Sequence, residues 1–199
     1  MRNPNVMRVF SLVALPTLLL AVVSCSATGD IDDTSAPVQL ILRSLTPVGA
    51  NFGDVVSDDG TVSDNQIDAT FVARLKRVTD TTAPALQEIV VERYEVEYRR
   101  TDGGAKVPAG MQRAITAKVQ ITPHGIVEET LTALTLTLIP GSQKLEPPLS
   151  HLISPGFEPD TGFVTIQADA IVTFYGRTIA GDPVSVTGQV GVQFANYGS

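Results

Sequence analysis

Five aspartates crowd one short stretch of this chain: Asp54, Asp58, Asp59, Asp64 and Asp68. Carboxylates gathered in a loop are ligands for Ca²⁺, which takes six to eight oxygens. The spacing is not that of an EF-hand, because the regular alternation of ligands and the closing glutamate are absent. Solvated acids leading into a strand are the plainer reading, and a ligand-, glycan- or calcium-binding loop over Asp54–Asp68 is the alternative. A second group, Arg93, Glu95, Glu97 and Arg99, alternates so that all four share one face of a strand. Paired carboxylates can serve as general acid and base in glycoside hydrolysis, but flanking arginines keep both ionised, and the group reads as a solvated charge ladder that discourages strand association. His151 lies between Ser150 and Ser154. Proximity in sequence does not make a nucleophile and base, whose members meet in space, and there is no Gly-x-Ser-x-Gly elbow. No catalytic residue, cofactor-binding residue or metal ligand is assigned, and the chain is expected not to be an enzyme.

The residue with a definite chemical expectation is the single cysteine, Cys25. Met1-Arg2 and Arg8 give a cationic start, an uncharged run follows from Val9 to Ser24, and the run ends in Val22-Val23-Ser24-Cys25. That pattern describes a secretory signal. The apolar stretch is short for a bilayer span, which needs roughly 20 residues, and Pro16 disfavours a permanent helix. Val22–Cys25 resembles the lipobox of bacterial lipoproteins: an aliphatic residue, a variable one, a small one, then cysteine. The resemblance implies that the Cys25 thiol takes a diacylglycerol, that residues 1–24 are removed, and that the new amino group is acylated, palmitate being the characteristic chain. Several acyl chains anchor stably where one is marginal. The residue after the cysteine is Ser26 rather than the aspartate associated with inner-membrane retention, so the resemblance implies the outer membrane of a bacterial cell envelope, on its periplasmic or surface face.

Composition narrows the rest. The leader holds two of the 14 basic residues and none of the 21 acidic ones, leaving a charge of −9 on the 175 residues after it. Such a surface offers nothing to neutralise phosphates, which argues against nucleic acid as a partner. It also leaves membrane attachment to the acyl chains. Without a second cysteine, intrachain disulfides and thiolate metal sites are excluded. The absence of tryptophan argues against stacking platforms for sugars, and Tyr94 and Tyr98 share a face with Val96 that suits a core.

The elements that would position these residues alternate with period two. Ser26–Pro37, rich in small and acidic residues, reads as a flexible tether at 25–37, followed by one domain at 38–199. Ile67, Ala69, Phe71, Ala73 and Leu75 form one inward set, and Leu134, Leu136 and Leu138 a second. Val164, Ile166, Ala168, Ala170, Val172 and Phe174 form a third, and Val184, Val186, Gly188, Val190, Val192 and Phe194 a fourth. Val38–Leu45, Glu88–Arg100 and Gln112–Thr122 complete seven strands, half buried in antiparallel sheets. Turns are read at Asp59-Gly60, Asp102-Gly103-Gly104, Pro123-His124-Gly125 and Pro140-Gly141, with a hairpin at Ala180-Gly181-Asp182. Ile126–Leu131 is ambiguous and has room for a helical turn. Pro140–Gly162 is long and contains five prolines together with Leu145, Leu149, Leu152, Ile153 and Phe157; it is expected to pack over the open end of the sandwich.

The run Tyr94-Glu-Val-Glu-Tyr-Arg-Arg-Thr-Asp-Gly103, with Ile171–Gly176 and its partner strand, resembles uncharacterised bacterial lipoproteins carrying an immunoglobulin- or fibronectin-like sandwich. The resemblance covers most of residues 38–197 and implies architecture without an activity. The paired cysteines and core tryptophan of antibody domains are missing. The expectation is therefore an all-β, antiparallel immunoglobulin-like β-sandwich of about seven strands, behind a signal peptide and short tether. Its expected function is a lipid-anchored, non-enzymatic interaction or accessory module, with the membrane and an unidentified protein as partners.

Overall fold

The computed structural model describes residues 36–49, 52–76, 85–121 and 130–197. The leader, Cys25, the tether as far as residue 35, the Pro123-His124-Gly125 turn and residues 126–129 of the ambiguous segment lie outside these described residues.

Seven strands form: β1 (Val38–Val48), β2 (Asn65–Leu75), β3 (Ile89–Arg100), β4 (Met111–Val119), β5 (Thr132–Ile139), β6 (Thr165–Thr178) and β7 (Pro183–Ala195). A 3-10 turn covers Ala85–Gln87, and two single helical turns, α1 (Gly141–Lys144) and α2 (Ser150–Ile153), interrupt the β5–β6 connection. The strands make an all-β sandwich of a three-stranded sheet, β1-β2-β5, and a four-stranded sheet, β4-β3-β6-β7. Each neighbouring pair is antiparallel. A constant-type immunoglobulin domain divides its seven strands four and three; here the fourth strand lies beside the third, giving three and four.

The inward sets are buried as alternation requires. Ile166, Ala168, Ala170, Val172 and Phe174 are almost wholly enclosed, as are Ile67, Ala69, Phe71 and Ala73. Phe71 and Phe174 meet edge to face with centroids 4.8 Å apart, joining the two sheets at mid-core. Val164 departs from its expected place: β6 starts one residue later, and Val164 is exposed. Pro140-Gly141 opens α1 rather than making a simple turn. The turns at Asp59-Gly60, Asp102-Gly103 and Ala180-Gly181-Asp182 each set a glycine at positive φ, the conformation a Cβ disfavours.

Three bulges adjust the alternation. One extra residue in a strand shifts the parity of every residue beyond it. In β3 the register breaks between Val91 and Arg93, so Ile89 and Val91 before the break and Tyr94, Val96 and Tyr98 after it all face the core. In β1 the break falls between Leu42 and Ser44, and Leu45 returns inward. In β5, Asn65 pairs with Ile139 while Gln66 pairs with Thr137, leaving Leu138 as the extra residue on an outer strand. The carbonyls of Thr137 and Leu138 accept the hydroxyls of Tyr94 and Tyr98 at 2.8 and 2.7 Å. Two tyrosines of one sheet thus bond the irregular edge of the other, and burial pushes both phenols up in pKa. Tyr98→Phe leaves the Leu138 carbonyl without that donor and is expected to lower stability by about 1–3 kcal/mol. Urea unfolding measures it, and a change inside the surface-substitution range of about 0.5 kcal/mol would show that the bond contributes nothing.

The connectivity also gives the sandwich two distinct poles. Val38 pairs with Leu75, Ile89 with Val119 and Thr178, and Arg177 with Pro183, so these residues mark one pole. The chain enters there, where Lys76 N–H donates to the Pro37 carbonyl at 2.9 Å. Val48 pairs with Gln66, Asn65 with Ile139, Val96 with Met111 and Thr165 with Ala195, marking the opposite pole. The β1–β2, β3–β4 and β5–β6 connections and the chain after β7 all gather at this second, loop-bearing pole. β6, with 14 residues, places the poles roughly 45 Å apart at about 3.3 Å per residue.

Candidate functional site at the loop-bearing pole

At the end of β3 the run Arg100-Thr101-Asp102-Gly103-Gly104 turns back on itself. Arg100 Nε donates to Asp102 Oδ1 at 2.6 Å and Nη2 to Oδ2 at 2.9 Å, a bidentate pair. Nη2 also lies 3.6 Å from Glu158 Oε2, and Nη1 donates to the Lys106 carbonyl at 2.8 Å. The side chains of Arg100, Asp102 and Glu158 are only 3, 5 and 0 % exposed. Charges removed from water need several compensating bonds, and these have them. Asp102 accepts the N–H groups of Gly104 at 3.1 Å and Gln167 at 2.8 Å. Glu158 accepts the N–H groups of Asp160 and Thr161 and the Thr161 hydroxyl at 2.9–3.2 Å. Burial acts to raise both carboxyls, but for Asp102 the Arg100, Gln167 and Gly104 bonds outweigh it, and for Glu158 those of Thr161 and Asp160 with the Arg100 charge do so. Both are held below the usual carboxylate range. A Cβ on Gly104 would lie 2.1 Å from Nη2 of Arg100, so a side chain there would displace the guanidinium from its place in this turn.

A second buried cation fixes the β5–β6 connection. Lys144 in α1 is 1 % exposed, and its Nζ donates to the Asp54 carbonyl at 2.6 Å. Burial lowers its pKa, opposed by the Asp54 and Asp64 carboxylates. Asp64 Oδ1 accepts the Gly141 N–H at 2.8 Å at the start of α1. Leu149 and Leu152 are buried in the core, so the β5–β6 connection packs over the sandwich end as expected, while Leu145 and Phe157 stay exposed.

These contacts decide the aspartate group. Asp54 Oδ1 accepts the Tyr197 N–H, Asp59 accepts the Thr61 N–H, Asp64 is tied to α1 and Asp68 accepts the Thr135 hydroxyl. The Thr61 backbone bond is the main reason Asp59 sits below its ordinary pKa. The carboxylates are spread among turn, helical turn and sheet, and no group of three or more His, Cys, Asp or Glu converges among the described residues. His151 is half-buried in α2, and its Nδ1 has no hydrogen-bond partner, so no serine hydroxyl is bonded to that nitrogen. Of the charge ladder, Arg93 lies 3.6 Å from Glu95 and Arg99 bonds Asp169 at 3.0 Å, on the outer sheet face.

Beside that ladder lies an open groove of about 340 Å³ bounded by Glu92, Arg93, Tyr175 and Arg177. Arg93 stacks 4.1 Å above the Tyr175 ring, whose hydroxyl donates to Glu95 at 3.1 Å. Burial and the Glu95 carboxylate raise the Tyr175 pKa. Arg177 pairs with Glu92 at 3.7 Å. The polar groups around the groove are thus engaged with one another across a shallow surface.

Comparison with protein families, with curated proteins and with solved structures finds no match to this chain. Its functional reading therefore rests on its own geometry. The loop-bearing pole is a frame of paired, bonded charges that presents apolar side chains outward. Phe157, Phe163 and Val164 are 44, 54 and 66 % exposed, and they flank Glu158, whose N–H donates to the Phe163 carbonyl at 2.8 Å. The acids Asp58, Asp59, Glu146 and Asp160 are also exposed at this pole. Loops tied by internal bonds, with outward apolar groups and a charged surround, are equipped for binding. The sequence pointed to the aspartates and missed Arg100, Glu158 and Lys144. An arginine next to an Asp-Gly turn was a local signal for the first; nothing local marks the other two.

Proposed function

We propose that this chain is a lipid-anchored, non-enzymatic interaction module of the bacterial cell envelope, held through acylated Cys25, at the outer membrane, and meeting a protein partner with its loop-bearing pole. The observation that supports this reading is the opposition of the two poles. The chain enters at Pro37 on one, and the exposed loop aromatics lie on the other, so an anchor at the first pole leaves the second free to meet a partner. Phenylalanines beside exposed acids suit a partner that offers apolar groups flanked by cations.

The test has two parts. Cys25→Ser is expected to move the protein from the membrane to the soluble fraction, and mass spectrometry of the unaltered protein is expected to give an N-terminal peptide starting at an acylated Cys25. A free thiol there, or a chain still starting at Met1, would overturn the anchoring. A photo-crosslinking residue at Phe163 is expected to capture a protein in cells, whereas one at Glu97 on the outer sheet face captures none. Equal capture at both positions would remove the assignment to this pole.

A further inference from the structure

The large apolar side chains that are exposed among the described residues are confined to the two poles. Three sit where the chain enters: Leu86, Leu131 and Ile179, at 59, 60 and 47 % exposure. They belong to one surface. Ile179 N–H donates to the Glu88 carbonyl and Ala180 N–H to the Leu86 carbonyl, at 2.9 and 2.8 Å. Glu88 pairs with Lys118, and the Lys118 carbonyl accepts the hydroxyl of Thr132, the neighbour of Leu131, at 3.4 Å. Three segments distant in sequence thus bring three aliphatic side chains to the pole that carries Pro37.

We propose that this patch docks on the phospholipid bilayer that holds Cys25, so that the domain stands on the membrane with its loop-bearing pole outward. The inference rests on the anchoring reading above and adds an orientation to it. Twelve residue steps separate Cys25 from Pro37. At no more than about 3.6 Å each they reach roughly 40 Å at most, whatever their conformation, so the near pole is always within reach of the lipid surface. Docking by the outer face of the four-stranded sheet is poorer. Lying flat would press Arg93, Glu95, Arg99 and Asp169 of the outer sheet face into the interface, with no large apolar group to insert and a cost for each charge removed from water. Insertion of aliphatic side chains into the boundary between headgroups and acyl chains is favourable in proportion to the area buried. Anchored chain and inserted patch then act as two linked contacts, each raising the effective concentration of the other.

The experiment uses the full acylated protein in vesicles of zwitterionic phospholipid. With Cys25 acylated, the thiol of Ile179→Cys takes an environment-sensitive fluorophore, and Asp58→Cys gives the matching label on the loop-bearing pole. Headgroup-nitroxide lipid is expected to quench the label at 179, as for a group placed at the interface, and to leave that at 58 unchanged. Adding Leu86→Gln and Leu131→Gln should weaken the quenching at 179 while the protein still floats with the vesicles. A floating protein with neither label quenched, or with both quenched alike, would overturn the docking and leave the anchor standing. A protein that fails to float would overturn the anchor and the docking together.

Discussion

Replacing Arg100 with leucine is expected to destabilise the domain by about 3–5 kcal/mol, the range for removing one member of a buried ionic group. The reason is the fate of its partners. Asp102 and Glu158 have side chains 5 and 0 % exposed, and without the guanidinium two negative charges stay enclosed against each other. Against a total stability of roughly 5–15 kcal/mol for a domain, that loss is severe. The variant Arg100→Leu with Asp102→Asn and Glu158→Gln removes the charges together and is expected to recover much of the loss, because replacing a whole buried ionic group can be neutral. Denaturant unfolding of the two variants separates the orphaned charge from the lost packing; equal destabilisation would show that packing alone mattered. The pH dependence follows from the depressed carboxyls. A carboxyl lower in the folded than in the unfolded state adds stability above its unfolded pKa, near 4, and loses it as pH falls through the folded value. Asp102 and Glu158 are both lowered, so the native protein is expected to weaken as pH drops below about 4. The gap between it and Arg100→Leu should narrow over the same window, since protonated carboxyls no longer need the cation.

Phe174→Ala is expected to cost about 3–5 kcal/mol, the range for truncating a fully buried phenylalanine. Phe174 is 0 % exposed, stands edge-on to Phe71 across the sandwich, and lies 6.2 Å from the Tyr94 ring. Its removal opens a cavity where the sheets meet, and extended backbones paired along both flanks cannot collapse to fill it. Phe174→Leu, which keeps most of the volume, is expected to lose far less. Thermal unfolding followed by circular dichroism would report both. A small effect of the alanine variant would mean that the sheets close inward and that Phe174 is not the joint between them.

Most of the fold could be read from the order of residues. The near-regular alternation of Ile166–Phe174 and Val184–Phe194 makes one face apolar and the other polar, and a pleated strand turns that pattern into a buried and an exposed side. The strand with Tyr94, Val96 and Tyr98 was legible as core-facing, but its bulge was not: a parity change shows only when a partner strand counts the register. Val164 matched the alternation yet falls outside β6, because strand length is set by pairing, and Thr165 is the last residue opposite Ala195.

The candidate site was legible in part. The aspartates were visible as a group, yet proximity along the chain did not bring their carboxylates together: Asp54 bonds the chain after β7, Asp59 its own turn, Asp64 the start of α1 and Asp68 a residue of β5. Arg100 had a local signal in the Asp-Gly turn beside it, but the burial of Glu158 and Lys144 depends on what folds over them and leaves no mark in the types of neighbouring residues. By itself the sequence determined the strands and the two-faced pattern that drives them into a sandwich, both of which depend on short-range order. Only the tertiary structure decided which charges are buried, which aliphatic side chains share a surface and which pole the chain enters, because each needs segments distant in sequence to meet.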